Sequence, residues 1–457
     1  MDLIYGIKDK PKVGKVILFA LQQLLAIMAA TIAVPAVVNS NSGTALSASA
    51  ALFGAGIGSI VYLLFTKGRS PVFLGSSFAF LPSMFSAFAG AATLGLTQQA
   101  GYWGLIIGAL MAGLVYVIIA IVVKFCGVNW INKLMPPVII GPTVAIIGLS
   151  LSSNAVGDLM KSNIEGGSVY ICLLCGLVTL GVTMLCATYG KKMGKLIPFI
   201  IGILAGYLVA SIFAMLGKAT NSSELAVIDY SAFKNCGIFA LPKFTFLLGG
   251  GEGLKAITGR YLIAIFAAYV PVAFVVFAEH LADHKNLSTI VGQDLLTDPG
   301  LTRTLLGDGV GSIAGAFFGG CPNTTYGESI ACVAITRNAS TISIWGCAFA
   351  CIIFSMISPL VAFLETIPSC VMGGVCIALY GFIAVSGFKI FQTVDLNKNR
   401  NLFVASIIFI TGVGGMIVTF GAVQIRTVAC ALILGILTNV MLSGEKDEVA
   451  EEEAKAE

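Results

Sequence analysis

The sequence predicts an all-α polytopic membrane protein with 14 transmembrane segments arranged as a 7+7 inverted repeat. Three observations carry this expectation. Apolar runs near 20 residues, about the length that spans a bilayer, recur from end to end. Only 11% of the 457 residues are charged and 57% are hydrophobic, with a mean hydropathy of +0.97. Soluble domains carry about 25% charged residues. The basic residues also sort to one side of a fourteen-segment path, and stretches seven segments apart resemble one another.

Apolar runs bounded by charged or turn residues place the segments at about 14–34, 44–66, 71–91, 100–124, 134–152, 168–188, 195–216, 260–281, 301–319, 322–338, 340–362, 368–388, 401–419 and 422–443. The third and tenth read as broken. With the N-terminus in the cytoplasm, 19 of the 26 basic residues fall inside, among them Lys67, Arg69, Lys133, Lys192, Lys195, Lys389, Lys446 and Lys455. Only Lys161, Lys218, Lys234, Lys243, Lys255, Arg260 and Arg426 fall outside. Dropping one segment inverts everything after it and brings the sides near parity. An even count with both termini inside follows.

The fifth segment opens Met135-Pro136-Pro137-Val138-Ile139-Ile140-Gly141 and the twelfth opens Ile367-Pro368-Ser369-Cys370-Val371-Met372-Gly373. Each places Pro and Gly five apart, and an odd offset of seven turns the second half upside down in the membrane. Transporters built this way bind substrate near the midplane, where corresponding broken segments meet. Chance is the competing reading of this match, since Pro and Gly are common in membrane helices. The abundant Gly, 53 residues, suits close helix packing in lipid. The hydrophilic stretch 217–259 reads as an outside connecting loop with some short structure. The tail 444–457 reads as acidic and disordered.

Lys8, Lys10, Lys12 and Lys15 precede an apolar run too long for a signal peptide and without a cleavage site, so no cleaved leader is expected. The 12 Cys fall mostly inside apolar runs, in no metal-ligand spacing, and read as small buried residues. The net charge of +4 gives no sign of nucleic-acid binding. Glu279-His280 lacks the HExxH spacing and the two histidines have no evident third ligand, so neither a metal nor an enzyme activity is expected.

The most informative stretch is Cys321-Pro322-Asn323-Thr324-Thr325-Tyr326-Gly327-Glu328, polar residues where hydrocarbon is expected. Non-helical backbone at membrane depth survives only where protein or a water-filled cavity satisfies it. Asn323 to Tyr326 therefore reads as extended, with a helix starting near Gly327 whose first amides are free for a ligand. A surface loop is the competing reading. Gly75-Ser76-Ser77-Phe78-Ala79-Phe80 is its counterpart in the third segment.

Two acids lie deep: Glu328, and Glu279 in the eighth segment, with Asp283 one turn further on the same face. A charge at the bilayer centre costs at least about 2.5–3.5 kcal/mol, so such residues are paired, hydrated or protonated during part of a cycle. No Lys or Arg is expected deep enough to offset them. Two carboxylates facing one cavity offer acceptors, and free amides near Phe78 and Gly327 offer donors. A small planar ligand with alternating N–H and C=O groups satisfies both sets, and Phe78, Tyr326 and Tyr380 supply flat contact. Asp283 and His284 have a competing reading as the cytoplasmic end of a helix, Tyr380 as a packing residue, and Asp308 reads as structural.

These motifs, with Asp294-Leu295-Leu296-Thr297-Asp298-Pro299-Gly300-Leu301 and Val371-Met372-Gly373-Gly374, make the sequence similar to the nucleobase–ascorbate transporter family over about Lys12 to Leu442. It resembles most closely that family's bacterial uracil permeases, the uracil:proton symporters. The resemblance implies a core domain of 14–124 and 260–362 and a gate domain of 134–216 and 368–443, with short antiparallel strands breaking segments 3 and 10. It implies that Glu279 and Glu328 hold the ring, that the amides of Phe78 and Gly327 meet its carbonyls, and that Ala30, Tyr326 and Tyr380 line the pocket. It also implies uracil and protons as partners in the cell membrane, proton coupling through the carboxylates and nearby histidines such as His280, no cofactor beyond the proton, and a homodimer. Xanthine or another purine is the alternative cargo. Two departures bear on coupling: Gln23 stands where many relatives have His, and Asp283 where a uracil symporter type has His, so Asp283 joins the proton-carrying candidates.

Overall fold

A computed structural model describes residues 3–127, 130, 134–191, 193–234, 236–420 and 423–443. Lys133, Lys192, Lys446, Lys455 and the acidic tail 444–457 lie outside the described residues.

The apolar runs fold as helices because a helix satisfies its own backbone where water is absent. The first half contains α1 (Val13–Ser42), α2 (Ala48–Phe65), strand β1 (Leu74–Ser76), α3 (Leu81–Thr93), α4 (Gln98–Cys126), α5 (Pro137–Ser150), α6 (Ser152–Leu159), α7 (Val169–Tyr189), α8 (Met193–Leu196) and α9 (Pro198–Thr220). The second contains α10 (Thr245–Lys255), α11 (Gly259–Val291), α12 (Leu301–Gly319), β2 (Asn323–Thr325), α13 (Gly327–Thr336), α14 (Thr341–Phe354), α15 (Ser358–Glu365), α16 (Ser369–Phe391), α17 (Asn399–Val413), a hairpin of β3 (Val418–Phe420) and β4 (Val423–Ile425), and α18 (Thr427–Met441). Among the described residues, eight helical stretches are long and apolar enough to cross a membrane: α1, α2, α4, the α5–α6 run, α7, α9, α11 and α16. Helices α13, α14, α17 and α18 are apolar but shorter.

Several boundaries differ from the sequence reading. Helix α1 continues to Ser42, where Gly43 ends it in the left-handed conformation (φ 60°). Helix α11 continues to Val291 and ends at Gly292 (φ 69°), so Asp283 and His284 lie well inside it. The 217–259 stretch contains α10, tied to α4 by the Trp103 Nε1 hydrogen bond to the Gly250 carbonyl, 2.7 Å.

Strands β1 and β2 pair antiparallel, with Leu74 opposite Thr325, Gly75 opposite Thr324 and Ser76 opposite Asn323. All six residues are buried. The pairing continues past the strands: Ser77 N donates to the Pro322 carbonyl at 2.9 Å and Tyr326 N to the Phe73 carbonyl at 3.2 Å. The Ser59 hydroxyl serves both polar groups of Leu74, accepting from its N–H at 2.8 Å and donating to its carbonyl at 3.1 Å. Beneath the strands, α2 crosses α12 through facing glycines. A Cβ on Gly54 would fall on the Gly315 carbonyl, and one on Gly315 would fall on the Asn323 side chain. The Asn323 amide fills the remaining space and donates to the Gly54 carbonyl at 3.1 Å. Helix α5 meets α16 in the same way, with the Gly141 and Gly387 backbones in contact range.

The strand-bearing half-helix α13 is held at its far end as well. Arg337 leaves it in the left-handed conformation (φ 55°), and its carbonyl accepts from Ile4 N at 2.8 Å. Ala339 N donates to the Tyr5 carbonyl at 2.9 Å, so the N-terminal segment straps this end down. On the same face, Arg69 Nη1 donates to Asp298 Oδ1 at 2.8 Å, joining the α2 exit to the α12 entry.

Two tests follow. Gly315→Val overfills the α2–α12 crossing and is expected to cost at least about 1–3 kcal/mol, lowering the unfolding midpoint in detergent. Gly381→Ala, where an added Cβ meets nothing, does not lower that midpoint. The Arg69 hydrogen bond holds the Asp298 carboxyl below its usual range. Its folded value being depressed, the bridge adds stability above the ordinary carboxylate range and loses it as pH falls through the folded value. Arg69→Gln is therefore expected to lower the neutral part of a melting-point-versus-pH curve slightly and to converge with the parent below the folded value, so that the acid limb becomes shallower.

Candidate functional site

Helix geometry sorts the polar groups of α11 onto two faces. Glu279 and Asp283 are four residues apart and share one face; His280 and His284 share another. The first face lines a cavity of about 500 Å³. That volume falls within the roughly 300–1,000 Å³ usual for small-molecule sites.

Opposite α11, the turn from β2 into α13 completes the polar wall with Thr324, Thr325, Tyr326, Gly327 and Glu328. Glu328 sits in the first turn of α13, and Tyr326 is extended at its N-cap position. The amides of a first turn have no carbonyl within their own helix, and here they border the cavity. Ser77, Phe78 and Ala79, between β1 and α3, form a second such edge. Thr325 Oγ1 donates to Asp283 Oδ2 at 2.7 Å, fixing that carboxylate to the strand. The Tyr326 hydroxyl donates to the Ser76 carbonyl at 2.7 Å, tying the turn to β1. The facing wall is largely apolar and comes from α5, α9 and α16, with Val144, Ile147, Phe199, Leu379, Phe382 and Ile383.

The structure therefore brings Glu279, Glu328, Asp283, Phe78, Tyr326 and Gly327 to one cavity. Both glutamates keep part of their surface accessible. Tyr380 is placed behind the wall: it is buried, and its ring meets Phe78 edge-on at 5.7 Å between centroids. Ala30 is fully buried in the apolar core, while Ala26, one turn earlier on α1, lines the cavity.

His280 faces away from the cavity. Its Nδ1 lies 2.6 Å from Asp308 Oδ2 and its Nε2 lies 3.0 Å from Thr304 Oγ1, both on α12. His284 stacks on it at 4.1 Å between centroids and donates from Nδ1 to the His280 carbonyl at 2.8 Å. A carbonyl can only accept, so Nδ1 carries the proton. Gln23 is buried against Ser329, next to Glu328.

Among the lining residues that sequence reasoning missed are Thr325, Ser386, Lys195 and Lys389. The two lysines line the cavity without being deep beside the glutamates. They are exposed and sit at its mouth, near the ends of α8 and α16. Their shared side was readable from the charge asymmetry; their approach to one opening was not, because it depends on how α8 and α16 pack.

Residues 14–420 match the family described as the Permease family. The chain is 36% identical over 454 residues to the uracil permease of Bacillus subtilis, covering 98% of this chain and 97% of that one. It is 35% identical to the uracil permease of Escherichia coli K12, covering 94% and 92%. Among solved structures it resembles the transmembrane domain of a cyanobacterial bicarbonate transporter, with TM-score 0.62 at 14% identity, covering 95% of this chain and all of that one. It also resembles murine Slc26a9, an anion transporter in the inward-facing state, with TM-score 0.65 at 12% identity, covering 95% and 69%. At such identities these two show the fold alone, a mostly helical polytopic membrane architecture. The curated relatives are named permeases rather than enzymes. From the family match and the near full-length identity, the chain belongs to the Permease family, as a multi-pass membrane protein and relative of bacterial uracil permeases.

Proposed function

We propose that this permease carries uracil with protons into the cell across the cytoplasmic membrane, by alternating access. The observation that carries the reading is the convergence of Glu279 and Glu328 on one cavity beside two helix starts. The names of the near full-length relatives support the cargo. In this reading the ring N–H groups of uracil donate to Glu279 and Glu328. Its carbonyls accept from amides at Phe78 and Gly327. Phe78 and Tyr326, backed by Tyr380 and Ala30, hold its flat faces. The proton is carried within the group formed by Glu279, Glu328, Asp283 and His280.

The reading takes the short helices and the two strand-broken stretches as spans, giving fourteen in a 7+7 inverted repeat. Residues 14–124 and 260–362 then move as a core against a gate of 134–216 and 368–443, and the protein works as a homodimer with both termini inside. Under this orientation the mouth beside Lys195 and Lys389 opens to the cytoplasm. The energetics suffice: one charge crossing about 100 mV gains about 2.3 kcal/mol. One pH unit adds about 1.4 kcal/mol. Together they support accumulation of several hundred-fold.

Labelled uracil is expected to accumulate in proteoliposomes only under an inward proton gradient, and accumulation without one would falsify the coupling. Excess unlabelled uracil should block uptake while excess xanthine leaves it intact; the reverse pattern would move the cargo to purines. Glu328→Gln keeps one acceptor oxygen but removes the charge and sets an NH2 donor where the second oxygen faced a ring N–H. An effect of at least about 2 kcal/mol is expected, roughly a 30-fold loss of affinity by calorimetry. Wild-type affinity in that variant removes Glu328 from the site.

A further inference from the structure

A second cavity, of about 440 Å³, lies toward the opposite end of α1, away from Lys195 and Lys389. It is bordered by the α1 end, the α6 end and the α15–α16 turn. Ser40, in the last turn of α1, donates from Oγ to Asp158 Oδ1 on α6 at 2.6 Å. Lys161, just past α6, donates from Nζ to Ser40 Oγ at 3.0 Å and to its carbonyl at 3.4 Å. Asp158 is 8% exposed despite ending a helix beside a cavity. We propose that Ser40, Asp158 and Lys161 form a latch that closes the outer face of the transporter and must break for the site to open outward. The latch rests on the alternating-access reading given above.

Each side of the latch is anchored within its own part of the molecule. Asn39 Oδ1 accepts from Leu46 N at 2.8 Å and from Thr44 Oγ1 at 2.7 Å, fixing the α1 end to the α2 entry. Asn163 Oδ1 accepts from Ser369 N at 2.8 Å, fixing the segment after α6 to the start of α16. The two anchored bodies are then joined across the cavity by a carboxylate and an ammonium acting on one hydroxyl. Charge-assisted bonds of this kind are strong when water is held off, and lost when the gap floods. Relative motion of the bodies must part them, because neither end has slack to follow the other.

The test uses Val37→Cys as a reporter. Val37 lines the outer cavity one turn from Ser40 and is 2% exposed, so it labels from outside only when that face opens. The full-length protein in right-side-out vesicles is treated with a membrane-impermeant maleimide, and the parent without Val37→Cys supplies the background from native cysteines. Adding Ser40→Ala, Asp158→Asn or Lys161→Gln is expected to raise the labelling rate by about threefold to tenfold. Lys161 is exposed, so its substitution leaves the buried packing untouched. Rates within twofold of the reporter protein in all three variants overturn the latch. Uracil uptake by the parent is measured alongside. Its absence counts against the transport reading, while the labelling comparison still decides whether these three residues hold the outer face shut.

Discussion

A backbone that leaves the helix inside an apolar interior must find partners for every N–H and C=O, or the fold loses several kcal/mol per orphan group. The antiparallel pairing of Leu74–Ser76 with Asn323–Thr325 answers that constraint. Its edges are closed by Ser59, by the Phe73 carbonyl and by the Pro322 carbonyl. Because the strands satisfy each other, two helices can begin in the middle of the molecule. Their first turns then present amides where a continuous helix would have presented none. The site exists because the chain is interrupted there and the two interrupted strands pair with each other.

The interruption in turn depends on glycine. Asn323 reaches the Gly54 carbonyl only because α2 and α12 approach without side chains between them. With lipid outside there is no hydrophobic gain in pressing these helices together, so van der Waals contact and interhelical hydrogen bonds must hold them. A side chain at Gly54 or Gly315 would separate the helices or dislodge Asn323, and the strands would lose their floor. The same close approach recurs between α5 and α16, which supplies the apolar wall.

Helix α11 serves two environments at once. One face offers Glu279 and Asp283 to the cavity, where water or a ligand can meet them. The other buries His280 and His284 against Asp308, Thr304 and Tyr62, each ring nitrogen with a partner. The buried histidines therefore brace α11 against α2 and α12, and hold the acids of the opposite face at a set rotation. Thr325 completes this by joining Asp283 to the strand.

Much of this was legible in the residues alone. Apolar length specifies where the chain can cross a bilayer, since helix rise and membrane thickness are fixed quantities. Polar residues with Pro and Gly in such a run, as at Cys321–Glu328, mark a break because lipid tolerates no unsatisfied backbone. The deep acids stood out because so few charges lie inside the apolar runs. What only the tertiary structure decided was adjacency. It extended α11 past Asp283, turned His280 away from the cavity, set Ala30 back in the core, and carried Lys195 and Lys389 to one mouth. Periodicity describes one helix at a time, whereas which faces meet is settled by side-chain volumes on partners hundreds of residues away. Ser40 and Asp158, 118 positions apart, carry no local pattern that announces their contact.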